Sequence, residues 1–212
     1  GRPGLVLVHP EREREGRATR TPPLTAADFP LPQTRWTRYY LRADLQLTTE
    51  APAKVEMSGG YRVTHLSPDG GDTRATYDHA FTEPTAICGP AVLTLWATLD
   101  TLDTDFFVLL ADRAPDGKVY GLQRGLLRAS HRAIGAEKSR YVESGGQKVL
   151  IQPYHPHDQI VPVVPHEPQE YQIEIPAVGH VFRPGHKLVL SISQPPAGDP
   201  IGATRSGAPS YR

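Results

Sequence analysis

The chain has 212 residues, and its 23 lysines and arginines balance 23 aspartates and glutamates, so it carries no formal net charge at pH 7. Nucleic-acid-binding proteins usually carry a basic surplus that neutralises phosphates, and the balance therefore disfavours that class. A disordered segment would combine low hydrophobicity with high net charge, whereas 38% of these residues are hydrophobic. The 19 glycines and 22 prolines predict many turns. The single cysteine, Cys88, excludes an internal disulfide.

The most apolar stretches, residues 92–99 and 106–111, are each only as long as a β-strand. A membrane-spanning helix needs about 20 apolar residues, so we expect no membrane segment. The first residues, Gly-Arg-Pro-Gly-Leu, contain neither an initiating Met nor a signal-type apolar block. We therefore expect an excised fragment or a processed product, whose compartment stays open with the cytoplasm slightly favoured.

Hydrophobic alternation with a period of two residues predicts β-strands through most of the chain. In residues 187–193 it places Leu188, Leu190 and Ile192 on one face. Residues 92–99 and 105–112 are more continuously apolar, which predicts strands covered on both faces. In chain order, the predicted strands are 5–9, 37–42, 61–65, 76–81, 92–99, 105–112, 126–128, 159–164, 170–175 and 187–193.

Turn-forming residues separate these strands. Gly and Pro mark turns at 68–71, 115–117, 145–146 and 183–185, because Pro presets φ and Gly accepts a positive φ. The only places that fit a helix are 24–28 and 135–141, and residues 11–20 and 136–147 are predicted to be exposed connections. We predict one all-β domain over residues 1–212, with a sandwich, jelly roll or barrel left open. Its core is expected to contain Leu93, Leu95, Phe106, Val108, Ile173, Leu188, Leu190 and Ile192.

A run of blocks resembles one hydrolase family. Residues 81–96 read Phe-Thr-Glu-Pro-Thr-Ala-Ile-Cys-Gly-Pro-Ala-Val-Leu-Thr-Leu-Trp, and further blocks follow at 102–112, 115–117, 125–130 and 179–193, with 31–41 upstream. In this order they resemble the C-terminal domain of X-Pro dipeptidyl-peptidase-like hydrolases, a group that includes cocaine esterase and the α-amino acid ester hydrolases. The resemblance implies a jelly-roll β-sandwich of the galactose-binding-like type. It also implies a partner, an N-terminal α/β-hydrolase domain that carries a Ser-His-Asp triad.

The chain itself shows no motif for a catalytic nucleophile. A serine on an α/β-hydrolase elbow needs the pattern Gly-x-Ser-x-Gly, and none of the nine serines has a glycine two residues before it. Cys88 stands beside Gly89 and Pro90 at the start of a strand, where a small buried hydrophobe is the better interpretation. We therefore predict no catalytic residue and no cofactor.

Two clusters carry ligand-type side chains. Zinc accepts the side-chain types of one cluster, which consists of His155, His157 and Asp158, with His166 nearby. The spacing of these residues fits no strong zinc motif, so a solvated loop is the preferred interpretation. The carboxylates of Asp100, Asp103 and Asp105 suit calcium, but no loop of the EF-hand type surrounds them. We predict no metal site.

We predict instead that polar side chains brace corners of the fold. The candidates are Asp103, Asp105, His180, Gly185 and His186, which lie at the starts of family-like blocks or around the turn at 183–185. Replacing Asp105 by Ala is expected to cost about 1–3 kcal/mol through a lost hydrogen bond.

The predicted function follows from the resemblance. We expect a non-catalytic domain that braces the catalytic domain of a serine hydrolase and helps to wall its active-site cleft. It should carry a face, rimmed by loops and exposed apolar side chains, that recognises the catalytic domain. A stand-alone carbohydrate-binding module is the alternative, since Trp36, Tyr39, Tyr40 and Trp96 could form a sugar platform as well as pack in a core or a domain interface. The substrate and any homo-oligomer are left open.

Overall fold

The computed structural model describes residues 4–6, 24–26, 34–54 and 74–193. In these residues the chain forms strands and one single-turn 3₁₀ helix, Ala129–His131. The strands are β1 (Gly4–Val6), β2 (Leu24–Ala26), β3 (Tyr40–Leu41), β4 (Leu47–Thr48), β5 (Arg74–Ala80), β6 (Thr85–Ala97), β7 (Asp105–Arg113), β8 (Val119–Arg128), β9 (Arg140–Ser144), β10 (Gln147–Gln152), β11 (Gln169–Phe182) and β12 (Lys187–Ser193). The all-β prediction is confirmed. No helix in the described part is long and apolar enough to cross a membrane.

One layer of the fold is a four-stranded antiparallel sheet in the order β5-β12-β7-β8. Strand β12 lies in its middle, with Leu190 opposite Tyr77 of β5 and Leu110 of β7. Because side chains alternate between the two faces of a strand, these three apolar residues lie on one face, and all three are buried.

The second layer is the long antiparallel pair of β6 and β11, which runs from Gln169 opposite Ala97 to Phe182 opposite Thr85. Its inner face contributes Ile173 and Phe182, neither of which is accessible to solvent. These residues belong to the same apolar cluster as Leu190 and Val108 of the first sheet. The core therefore lies between two sheets, which makes the fold a β-sandwich. The galactose-binding-like assignment stays a prediction.

The predicted core is confirmed. Of the eight residues named from the sequence, seven are buried and Leu95 is partly buried against the same cluster. One prediction about β6 is wrong: Thr94 and Trp96 on its outer face are exposed, so this strand is covered on one side only.

Several local predictions are wrong. Residues 24–26 form strand β2 and residues 135–141 contain a turn and the start of β9, so neither proposed helix exists. Residues 159–164 form no strand; Pro162 interrupts the run because it lacks a backbone N–H for a sheet. The supposed connection at 136–147 holds most of the β9–β10 hairpin, whose Gly145 and Gly146 both have positive φ, as a tight two-residue turn requires. The predicted strand 61–65, and residues 7–9 of the first, lie outside the described residues.

The two sheets approach each other closely at Gly125 of β8. A Cβ added there would lie 2.4 Å from the carbonyl oxygen of Glu174 in β11, and backbone atoms cannot give way as a flexible side chain can. The requirement for glycine at this position comes from the closeness of the two backbones.

Leu190 and Leu102 provide a matched test of the core. Leu190 is 6% exposed and Leu102 is 78% exposed. We expect Leu190→Ala to lower the free energy of unfolding by about 2–5 kcal/mol, through lost apolar burial and a cavity. Chemical denaturation of this chain should show no comparable loss for Leu102→Ala, and equal effects of the two changes would contradict the assigned strand faces.

Gly125 and Gly121 test the sheet-to-sheet contact in the same way. A Cβ at Gly121 of the same strand would meet only the Leu109 side chain, at an ordinary 3.6 Å. Gly125→Ala should therefore lower the melting temperature clearly and Gly121→Ala should not. A harmless Gly125→Ala would mean that β8 and β11 are not in close contact.

Candidate functional site

A buried carboxylate joins the two sheets at one end of the sandwich. Asp112 of β7 is 2% exposed. Its Oδ2 accepts a hydrogen bond from Nε2 of His180 in β11 at 2.8 Å, and its Oδ1 accepts one from Nδ1 of His186 at 2.9 Å. Both histidines are themselves buried. Each ring therefore holds its proton on the nitrogen that faces Asp112.

The turn between β11 and β12 carries this arrangement. Gly185 has φ +84°, and an added Cβ would come within 3.3 Å of Pro115, so both conformation and space favour glycine. The backbone of Phe81 is bonded on both sides, donating to His186 and accepting from Gly185. Three of the sequence candidates, Gly185 and the two histidines, are thus brought together at one corner.

Asp103 and Asp105 lie at the opposite end of β7. Asp103 accepts hydrogen bonds from the backbone N–H of Ser130 at 2.9 Å and from the Ser130 hydroxyl at 2.7 Å. It also accepts one from the N–H of Thr104 at 3.0 Å. Asp105 forms a two-pronged ion pair with the Arg128 guanidinium, at 2.9 and 3.1 Å. Hydrogen bonding to Asp105 raises the pKa of Arg128 above its ordinary value.

The loops at this end are tied to one another. Arg132 donates to the carbonyl oxygens of Val161 at 2.6 Å and Pro162 at 3.0 Å, and its guanidinium lies over the Tyr171 ring. The N–H of Val161 donates to the Ser130 carbonyl at 2.8 Å. Four exposed apolar side chains stand on or beside these loops, and we call them the apolar rim: Trp96, Leu102, Ile160 and Val164.

The histidine-rich segment lines a groove of about 350 Å³ beside β8 and β11. His155 uses both ring nitrogens, toward the carbonyl oxygens of Ala133 and Gln172 at 3.0 and 2.9 Å. Nδ1 of His157 lies 2.9 Å from Nδ1 of His131, so one of these nitrogens donates a hydrogen bond to the other. Burial, followed by the charges of His131 and His155, lowers the pKa of His157.

This geometry does not assemble a metal centre. Within residues 34–54 and 74–193, no three His, Cys, Asp or Glu side chains are placed to hold a metal ion. His155 is occupied by two carbonyl groups, Asp103 by Ser130 and Asp105 by Arg128. Burial raises the pKa of the Cys88 thiol, which keeps it in the less nucleophilic form. What these side chains do in the described structure is hold loops and strands to one another.

Asp112 is the member of the corner that the sequence reasoning missed. It stands at the end of the apolar run 106–111, where a carboxylate is easily taken for the first solvated residue after a strand. Its partners are 68 and 74 residues away along the chain. The available signal was the pair His180 and His186, which flank a turn and need an acceptor if both are buried.

The fold and its polar corners define a class of protein, a β-sandwich domain whose buried ionisable side chains bond to other strands and loops. The sequence matches the family described as the X-Pro dipeptidyl-peptidase C-terminal non-catalytic domain, over residues 9–199. The chain belongs to this family.

Relatives of known name agree with this assignment. The chain is 27% identical over 195 positions to a putative serine esterase of Mycobacterium bovis, covering 80% of this chain and 30% of that protein. It is 25% identical over 199 positions to cocaine esterase of Rhodococcus, covering 78% and 31% of the two chains. A CocE/NonD family hydrolase of Staphylococcus aureus has the same fold, with TM-score 0.67 and 22% identity over 93% of this chain and 34% of that one. The chain thus spans about a third of the length of these relatives.

Removing the carboxylate of Asp112 should destabilise the fold strongly. In Asp112→Ala two buried N–H groups lose their acceptor, and we expect a loss of about 3–5 kcal/mol in the free energy of unfolding. Asp116 provides the control, since its ion pair with Lys118 and its hydrogen bond from the Lys118 N–H are exposed, and Asp116→Ala should shift the denaturation midpoint much less. Similar midpoints for the two variants would mean that Asp112 is not a structural clamp.

At the start of β7, the structure predicts a larger loss of stability for replacing Asp103 than for replacing Asp105. Asp103→Ala leaves the buried N–H and hydroxyl of Ser130 without their acceptor, which should cost about 1–3 kcal/mol. The ion pair of Asp105 is half exposed, so we expect at most about 1 kcal/mol for Asp105→Ala, less than the sequence indicated. Thermal unfolding of the two variants checks the order, and a larger effect at Asp105 would reverse it.

Proposed function

We propose that this chain braces the catalytic domain of a serine hydrolase and helps to wall its active-site cleft. The observation that carries the proposal is the match to a non-catalytic domain over residues 9–199, in a chain that spans 30% of a putative serine esterase. About two thirds of such a hydrolase therefore lies outside this sequence.

The described structure supports a bracing role physically. The sandwich is clamped at one end by Asp112 and tied at the other by Asp103 and Arg132. A rigid body of this kind can hold loops against a neighbouring domain at a fixed position, which excludes water from a cleft and positions a substrate.

The chemistry of the whole hydrolase belongs to the other domain in this proposal. Ester or amide hydrolysis by a serine enzyme needs an activated serine, a base within hydrogen-bond reach and an oxyanion hole. In the described residues, the serine hydroxyls of Ser130, Ser139 and Ser191 bond to Asp103, the Gly135 carbonyl and Thr76 respectively. These hydrogen bonds connect segments of the fold. The relatives are named as esterases, which favours ester substrates for the whole hydrolase.

Activity measurements on the separated parts test the proposal. This chain alone should hydrolyse neither X-Pro-nitroanilides nor simple aryl esters above a buffer blank. The α/β-hydrolase part of the same polypeptide, expressed without this chain, should show reduced turnover that rises when this chain is added. A chain carrying Leu190→Ala should restore less, because its sandwich is destabilised.

Two results would contradict the proposal. One is substantial turnover by this chain alone that survives treatment with a serine-directed phosphonate or maps to one of its own serines. The other is saturable sugar binding by this chain that is lost in Trp96→Ala, together with no effect of the chain on the catalytic part. That pair of findings would identify a carbohydrate-binding module.

A further inference from the structure

The most exposed apolar side chains of the described residues collect at one end of the sandwich. Leu102, Ile160 and Trp96 are 78%, 72% and 65% exposed, more than any other large hydrophobic residue described. Val164, the fourth member of the apolar rim, is also exposed. Isolated exposed apolar residues are common on protein surfaces, but a group of them at one end marks an interaction surface.

Hydrogen bonds fix the loops that carry the rim. Ser130 joins the loop of Leu102 to that of Ile160, because Asp103 binds its hydroxyl and N–H while its carbonyl accepts from Val161. The N–H of His166, two residues after Val164, donates to the Leu99 carbonyl at 2.7 Å. The rim is therefore held in place before any partner arrives, which lowers the entropic cost of binding.

The composition of the rim indicates the chemistry of its partner. The rim combines a tryptophan with three aliphatic side chains, and charged residues of the same strand ends and loops, Arg128, Asp158, Glu167 and Glu170, are also exposed. Apolar and charged side chains occur together in this way at protein–protein interfaces, and tryptophan often contributes strongly to their affinity.

We propose that the apolar rim is the surface on which the α/β-hydrolase part of the same polypeptide docks. This inference rests on the proposed function and adds which end of the sandwich makes the contact. The partner is inferred from length: this chain spans only about a third of its relatives, and in the proposed function the remaining two thirds hold the catalytic domain. Contacts between domains of one chain usually bury about 600–1,500 Å².

Oxidative footprinting of the intact polypeptide locates the docked end. Val119 and Tyr120 are exposed at the start of β8, opposite the last residues of β7. They lie roughly 25 Å from Asp105 for a strand of this length and provide an internal reference. Hydroxyl radicals should oxidise Trp96 and Leu102 slowly relative to their exposure in this chain, and Tyr120 at the rate that its exposure allows. Mass spectrometry of the peptides gives both rates from one sample.

Paired variants of the intact polypeptide test whether the rim stabilises docking. In Leu102→Ser with Ile160→Ser, Trp96 should regain its free oxidation rate. Loss of each large apolar contact should weaken docking by roughly 10- to 100-fold, measured as faster proteolytic separation of the two parts. The control, Val119→Ser with Tyr120→Ser, should change neither quantity. Leu102 and Ile160 are exposed, so these changes leave the sandwich core intact.

The outcomes separate this inference from the proposed function. Fast oxidation of Trp96 with slow oxidation of Tyr120 would overturn the inference and keep the bracing role, since the domain would dock by its other end. If Trp96 and Tyr120 are both oxidised at the rates that their exposure allows, the inference and the proposed function are both overturned. Slow oxidation of Trp96 that disappears on dilution of the polypeptide would identify a second copy of the chain as the occupant and overturn the inference.

Discussion

One buried carboxylate sets the geometry on which the rest of this sandwich depends. Asp112 belongs to the four-stranded sheet and binds His180 of the opposite sheet together with His186 at the turn into β12. Burying a carboxylate is costly unless hydrogen bonds replace its hydration, and two imidazole N–H groups do so here. The arrangement admits only one placement of β11 against β7, because a slip by one residue would move Asp112 to the outer face of its sheet.

Strand β7 connects this clamp to the opposite end of the sandwich. Its last residues carry Asp112, while Asp105 begins the strand and Asp103 precedes it. The polar residues at that end act on loops: Asp103 orders the segment around Ser130, and Arg132 binds the carbonyls of Val161 and Pro162. Long loops without secondary structure are usually mobile, but side-chain hydrogen bonds to their backbones restrain these ones.

The histidines show how residue types associated with catalysis can serve a fold. His155 bridges two carbonyl groups of different segments, and His131 and His157 form a hydrogen bond at the edge of a groove. Each of these contacts fixes a connection between strands. Such a fixed set of connections holds the loops between the strands in one arrangement.

The sequence by itself determined the strands with clear alternation, the core residues and the family. Period-two patterns such as that around Leu190 encode both a strand and its buried face. The blocks at 81–96 and 179–193 are specific enough to indicate the family. Only the tertiary structure decided which polar residues form buried hydrogen bonds and which apolar residues stay exposed. Asp112 meets partners 68 and 74 residues away, and no local pattern reports such a contact. Trp96 lies in a run that is apolar enough for a fully covered strand, yet its exposure depends on whether another layer packs over β6, which is a property of the whole fold and not of the strand.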